Sequence, residues 1–226
     1  MIFKVKTTGV TTSEPNQINF IFQFTSKAET YNASVEKGAK SVVSFKNKMK
    51  NIFDVDKLKT TMYNVKEQTK RVDKTLPDGR TTYEYVFSHY ECSQTITLEI
   101  PYTQEILFKI ISEVSKIENA PYHRFTFGLN EEKSHELENE STVKALEYAQ
   151  EKADAIRKQM GGSICKCVKC EIVENFSTSQ MRNSYADVQL ECAYKSKSLE
   201  EDLSESITPD DVIVKINVIS EFEINI

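Results

Sequence analysis

The chain has 226 residues, of which 29 are Lys or Arg and 34 are Asp or Glu, so its formal net charge is −5. This acidic balance argues against a general nucleic-acid-binding protein, which needs a basic surface to displace counterions from phosphates. Six glycines and five prolines are too few for a collagen-like or low-complexity chain.

Neither a leader nor a membrane helix is predicted. The first ten residues lack the apolar segment of a signal peptide, and no apolar run approaches the roughly 20 residues that a membrane helix needs. We therefore expect no membrane span and a cytoplasmic location. The five cysteines are an odd number, which favours free thiols over a disulfide framework in a chain that is not secreted.

The first clear elements are a strand and an amphipathic helix. Apolar and polar residues alternate from Ile18 to Phe24, which predicts a half-buried strand. The apolar residues that follow are three or four apart, which predicts one face of a helix. These residues are Ala28, Tyr31, Val35, Ala39, Val42, Phe45, Met49 and Ile52.

Residues 57–100 predict a long β-hairpin. Pro77 and Gly79 suit a tight turn over Leu76–Arg80, and β-rich sequence flanks this turn on both sides. The arm after the turn, residues 81–100, contains no breaker. At about 3.3 Å per residue it would extend roughly 60 Å, well beyond a usual strand.

The apolar residues of this arm change parity. Tyr83, Tyr85 and Phe87 have odd numbers, whereas the next set has even numbers: Tyr90, Cys92, Ile96, Leu98 and Ile100. A regular strand cannot bury both sets on one face. Either a β-bulge lies near Ser88-His89, or the two halves pack against different surfaces and the hairpin end leaves the core as an arm. On such an arm, Tyr83, Tyr85 and Phe87 predict an interface between copies of the chain.

Two further helices are predicted. Thr103 is a suitable N-cap for an amphipathic helix, and after a strand at 123–129 Asn130 is a suitable N-cap for a long one that ends at Gly161. We expect the long helix to bury one face, with Ala145 beside it. That face consists of Thr142, Leu146, Ala149, Ala153, Ile156 and Met160.

The remaining segments complete an α+β pattern. Strands are predicted at 163–173, 185–194 and 212–226, and the acidic residues 195–209 predict a mobile connector. The order β-α-β-β-α-β-α-β-β-β predicts a mostly antiparallel sheet with three helices packed on it and a long protruding hairpin.

Taken in order, several segments resemble the SIMPL-domain family. They are Thr8-Gly9-Val10 before Pro15-Asn16, the helix at 31–52, Tyr83-Glu84-Tyr85, Phe125-Thr126-Phe127-Gly128-Leu129 before the alanine-rich helix, and Ile207-Thr208-Pro209-Asp210-Asp211-Val212 before the last strand. The resemblance implies one domain over residues 1–226 and ring-like oligomers. It implies no established catalytic residues. Many bacterial relatives are envelope proteins with a signal peptide, which we do not expect in this chain.

One cysteine cluster resembles a metal site. Cys165-Lys166-Cys167-Val168-Lys169-Cys170 supplies thiols of the kind that bind Zn²⁺. A regular strand, however, places Cys165 and Cys167 on one face and Cys170 on the other. Only a bulge, or Cys192 from a neighbouring strand, would bring the ligands together. We interpret the cysteines as buried or half-buried structural thiols and expect no metal and no cofactor.

Motifs of known enzymes are missing from the sequence. It contains no Gly-x-Ser-x-Gly, Walker A or Gly-x-Gly-x-x-Gly motif, and Asn139 occupies the position where a zincin motif beginning at His135-Glu136 needs a second histidine. We therefore expect a non-catalytic, self-assembling interaction or scaffold protein, with a link to stress or the cell envelope suggested by the resemblance. The alternative is a small-molecule-binding protein or hydrolase with a pocket between sheet and helices.

Overall fold

The computed structural model describes residues 1–77, 80–162, 164–173 and 207–225. These residues confirm the predicted α+β class and divide into two compact units. The first unit contains β1 (Ile2–Ser13), α3 (Glu131–Gln159), β6 (Ile164–Val173) and β7 (Val212–Asn225). The second contains β2 (Gln17–Ala28), α1 (Tyr31–Met49), β3 (Lys59–Thr75), β4 (Thr81–Pro101), α2 (Gln104–Ser115) and β5 (Tyr122–Gly128).

The first unit is built on a three-stranded sheet in the order β1-β7-β6, with both pairs antiparallel. β1 and β7 are paired along their length, from Ile2 opposite Glu223 to Ser13 opposite Val212. Every even-numbered residue of β7 from Val214 to Ile224 is buried. The strand predicted at 212–226 is therefore confirmed over Val212–Asn225, and its apolar side forms part of the core.

Strand β1 was not predicted, because only Phe3 and Val5 of its inward face are apolar, whereas the other inward residues, Thr7, Gly9 and Thr11, are small or polar. The Thr7 hydroxyl donates a hydrogen bond to the Ala145 carbonyl oxygen at 2.7 Å, and the hydroxyls of Thr11 and Ser141 lie 2.7 Å apart. Between them, a Cβ on Gly9 would collide with the Ser141 carbonyl oxygen. These contacts bring the backbones of β1 and α3 unusually close together.

The ends of α3 confirm the sequence prediction, and its buried face confirms it in part. The Asn130 side chain accepts a hydrogen bond from the Lys133 amide at 2.9 Å, and Gly161 follows the helix with a φ of 69°. The predicted face was only partly right, because Ala149 and Ala153 are buried but Leu146 and Met160 are 38% and 39% exposed. The buried residues lie four apart and are mostly small, because only small side chains allow this close approach: Leu137, Ser141, Ala145, Ala149 and Ala153.

The second unit is built on a four-stranded sheet in the order β3-β4-β2-β5. The prediction for β2 is confirmed, because Ile18, Phe20, Phe22 and Phe24 are all buried. Against this strand lies α1, with the Phe45 ring 4.7 Å from the Phe22 ring and 5.3 Å from the Phe24 ring between centroids.

The predicted face of α1 was only partly right. Val42, Phe45 and Met49 are buried, but Tyr31 is 52% exposed. Ser34 and Gly38 complete the buried face instead, since a close approach to the sheet favours small residues. The cap predicted for α2 is confirmed, because the Thr103 hydroxyl oxygen accepts a hydrogen bond from the Ile106 amide at 3.2 Å.

Some predictions lie outside the described residues. They concern the strand at 185–194, most of the acidic connector at 195–209, and Asp78 and Gly79 of the hairpin turn. The prediction of one domain over residues 1–226 stays a prediction. No helix in the part of the chain that the structure describes is both long enough and apolar enough to cross a membrane.

Candidate interaction surface on the β3–β4 hairpin

The β3–β4 hairpin contains the bulge that the change of parity predicted. The strands pair antiparallel from Lys59 opposite Thr97 to Thr75 opposite Thr81. Gln68 pairs with His89, but the next residue, Thr69, pairs with Phe87, so Ser88 is the additional residue of β4. The bulge near Ser88-His89 is therefore confirmed.

The bulge places both apolar sets of β4 on one face. Because directly opposed residues of an antiparallel pair share a face, Tyr83 lies beside Asp73, Tyr85 beside Arg71 and Phe87 beside Thr69. Tyr90 lies beside Glu67 on this same face. We call this surface the aromatic face: Tyr83, Tyr85, Phe87 and Tyr90 of β4, with Glu67, Thr69, Arg71 and Asp73 of β3.

One side of β4 changes from buried to exposed along the strand. The part near Cys92 belongs to the core, and the part that carries the aromatic face is exposed. Cys92 is only 1% exposed. Tyr90 is half-buried, and its ring lies 6.1 Å from that of Tyr31 on α1. Beyond Tyr90 the exposure rises sharply, to 44% for Phe87, 66% for Tyr85 and 55% for Tyr83. The three residues predicted as an interface thus lie together on one exposed face.

Contacts within the aromatic face hold its rings in position. The Phe87 and Tyr90 rings are 5.2 Å apart, and the Tyr83 and Tyr85 rings are 5.9 Å apart and nearly perpendicular. The Arg71 guanidinium lies 4.3 Å from the centre of the Tyr83 ring, in the range of a cation–π contact. Because these contacts already restrict the side chains before binding, they reduce the loss of conformational entropy on binding.

The opposite side of the hairpin is a lysine face, formed by Lys66, Lys70 and Lys74, which lie four residues apart on β3. All three are exposed. Among the described residues β3 is the outermost strand of its sheet. Lysines on such a strand discourage further strand pairing. The hairpin therefore has one face suited to contact with protein and one suited to contact with water.

A comparison with protein-family models shows which family the chain belongs to. The model that matches is SIMPL, described as a protein of unknown function (DUF541), and it covers residues 3–222. The chain belongs to the SIMPL family. No curated protein matches the chain.

In this SIMPL protein, Tyr63 extends the same side of the hairpin toward the sheet, although the sequence analysis did not single it out. Tyr63 is 51% exposed. A hydrogen bond to the Cys92 sulfur raises the pKa of the Tyr63 phenol above its ordinary value, with a smaller contribution from burial. Its odd number places Tyr63 on the same side as Glu67, Thr69, Arg71 and Asp73. This could be recognised only once the register between β3 and β4 was known.

A depression on α1, within the part of the chain that the structure describes, does not form a comparable site. It has a volume of about 590 Å³, runs along one side of the helix and is lined by residues such as Glu36, Lys40 and Val43, all of which are exposed. Across the described ranges, no group of three or more His, Cys, Asp or Glu residues could hold a metal ion.

The structure corrects the sequence interpretation of the cysteine cluster. Cys92 is buried, as expected, but Cys167 and Cys170 are exposed thiols rather than buried or half-buried ones. The argument that Cys170 faces away from Cys167 was also wrong, because a register shift separates Cys167 from Lys169.

Proposed function

We propose that this SIMPL protein is a self-assembling interaction protein whose copies associate through the aromatic face of the β3–β4 hairpin. The observation that carries the proposal is the exposure of Tyr83, Tyr85 and Phe87 on one ordered surface. Burying a large apolar side chain is worth about 1.5–3 kcal/mol. Three such rings therefore supply a considerable driving force for association.

The charges of the aromatic face allow a second copy as the occupant. In a twofold-symmetric contact, each surface meets itself. The aromatic face carries Glu67 and Asp73 together with Arg71, so a positive group of one copy can meet a negative group of the other. The lysine face also has both signs of charge, since Glu84 and Glu91 of β4 lie on it and Lys74 is 4.0 Å from Glu84. The exposed rings, not the charges, distinguish the aromatic face.

The family resemblance supports the same proposal at the level of the assembly. A twofold contact through the aromatic face closes a dimer by itself. A ring that contains this contact therefore requires a second, different contact. We propose that the aromatic face supplies one of the two contacts in a ring-like oligomer. Its loss should therefore leave smaller species rather than unfolded chains.

A pair of double variants tests the proposal. Tyr85→Ser with Phe87→Ser removes two rings from the aromatic face, whereas Val72→Ser with Val86→Ser removes two apolar side chains from the opposite face. Two residues central to an interface cost at least about 2 kcal/mol each, so the first variant should weaken association by at least about 100-fold. Sedimentation velocity across the micromolar range measures this.

The control variant should sediment like the wild type. Circular dichroism checks that both variants keep their secondary structure. If the variant that lacks Tyr85 and Phe87 assembles as strongly as the wild type, the aromatic face is not the contact surface and the proposal fails.

The alternative of a small-molecule-binding protein or hydrolase receives no comparable support. The depression along α1 is an open surface lined by the exposed side of a single helix. Ligand sites are usually concave and largely apolar, with a few convergent polar groups.

A further inference from the structure

A β-bulge in β6 gives the SIMPL protein a pair of exposed thiols on one face of this strand. Cys167 pairs with Phe222 of β7, and Lys169 pairs with Glu221, so Val168 is the additional residue between them. Cys170 then pairs with Ser220. Because Phe222 and Ser220 are two residues apart on β7, they share a face, and their partners Cys167 and Cys170 share it as well.

Hydrogen bonds agree with this placement. The buried Ser220 hydroxyl donates to the Cys170 sulfur at 3.8 Å, which places that thiol on the same side as Ser220. The Cys167 thiol donates to the Lys169 carbonyl oxygen across the bulge at 3.4 Å. Both thiols are nevertheless exposed, so they are accessible to an ion from solution.

The charged residues of β6 lie on the other face. Lys166 pairs with Glu223, Lys169 with Glu221, and Glu171 with Ile219, all odd-numbered positions of β7. Lys169 and Glu171 also form an ion pair with each other at 3.4 Å. The face that carries the two thiols therefore receives no carboxylate from β6.

We propose that Cys167 and Cys170 form a two-thiolate binding site for a soft monovalent d¹⁰ cation, with Cu(I) as the representative ion. Thiolates select such ions. Zn²⁺ almost always takes four protein ligands in structural sites, and among the side chains that the structure describes this face of β6 offers two thiols and no carboxylate. The two thiols lose two protons and form two sulfur–metal bonds, so binding weakens as the pH falls.

The test is a competition for Cu(I) against a chromogenic Cu(I) chelator, with reduced protein under anaerobic conditions. The wild-type chain should withdraw one Cu(I) per chain from the chelator. Cys167→Ser and Cys170→Ser should each lower the affinity by more than about tenfold, because even residues that only orient metal ligands contribute that much.

A relocated thiol provides the matched control. In a Cys165→Ser background, the double variant Lys169→Cys with Cys170→Ser keeps the number of cysteines and leaves Cys167 and the introduced thiol two residues apart in sequence. A regular strand would put these two on one face, but the bulge at Val168 puts them on opposite faces. We expect this variant to lose affinity as Cys170→Ser does.

Three results would overturn the proposal. They are a wild-type chain that withdraws no Cu(I), a relocated-thiol variant that binds as tightly as the wild type, and Zn²⁺ that displaces an equimolar amount of bound Cu(I). Thermal melting curves confirm that the variants are folded. None of these results bears on assembly through the hairpin, which lies in the other unit.

Discussion

Gly9 occupies the point where β1 passes closest to α3. Its odd-numbered neighbours Thr7 and Thr11 are buried and bond to the helix, and a Cβ at position 9 would collide with the Ser141 carbonyl oxygen. The glycine that contributed to the family resemblance thus has a packing reason, because any side chain would push the helix away from the strand.

This packing predicts a marked effect of a single methyl group. Gly9→Ala should lower the free energy of unfolding by at least about 1–3 kcal/mol, the usual cost of overpacking a tight core. Urea denaturation measures the change. Gly128→Ala is the matched control, since a Cβ there meets no heavy atom within 4 Å. Equal stability of the two variants would contradict the proposed close contact.

At the scale of elements, Asn130 and Asn16 fix the start of α3. The Asn130 side chain caps the helix, and the Asn130 amide donates to the Asn16 side-chain oxygen at 2.8 Å. The Asn16 amide in turn donates to the Gly128 carbonyl oxygen at 3.1 Å. The turn between β1 and β2 is thereby bonded to the beginning of the helix.

Removing the cap should have a measurable effect. Asn130→Ala should destabilise the unit that contains α3 by about 1 kcal/mol, as is typical of a lost N-cap. The denaturation midpoint measures this, and Asn130→Asp should retain most of the stability because it also caps and adds a negative charge at the helix start. A variant with alanine as stable as the wild type would show that the cap is not needed.

The sequence predicted the elements whose buried faces are apolar, and it failed where burial is achieved by small residues. The alternation in β2 and β7 and the caps of α2 and α3 were predictable from local pattern. β1 and the true face of α3 were not, because Thr7, Gly9 and Ser141 are not apolar. Their burial depends on a close backbone approach that only the tertiary structure shows.

The bulges at Ser88 and Val168 show how far a strand irregularity can be predicted from the sequence. The bulge at Ser88 could be predicted, because the aromatic residues on its two sides change parity. The bulge at Val168 could not be fixed from the sequence, since Cys167 and Cys170 also suit opposite faces of a regular strand. The sequence therefore drew attention to the residues of the aromatic face and to the cysteines of β6. Only the strand pairing showed that Tyr90 shares a face with Tyr83, Tyr85 and Phe87, and that Cys167 shares one with Cys170.

At the scale of the whole molecule, the proposed function depends on association between copies of the chain. The family model covers residues 3–222 and thus includes both compact units. The exposed aromatic face belongs to the second unit, whereas the thiol pair belongs to the first. The proposed assembly and the proposed ion binding can therefore be tested separately.

The most direct test is the mass of the wild-type chain at micromolar concentration, measured by light scattering after size-exclusion chromatography. The chain weighs 25.9 kDa. We expect a mass that is a multiple of this value and that falls on dilution or on loss of Tyr85 and Phe87. A mass of one chain throughout the micromolar range would contradict the central claim.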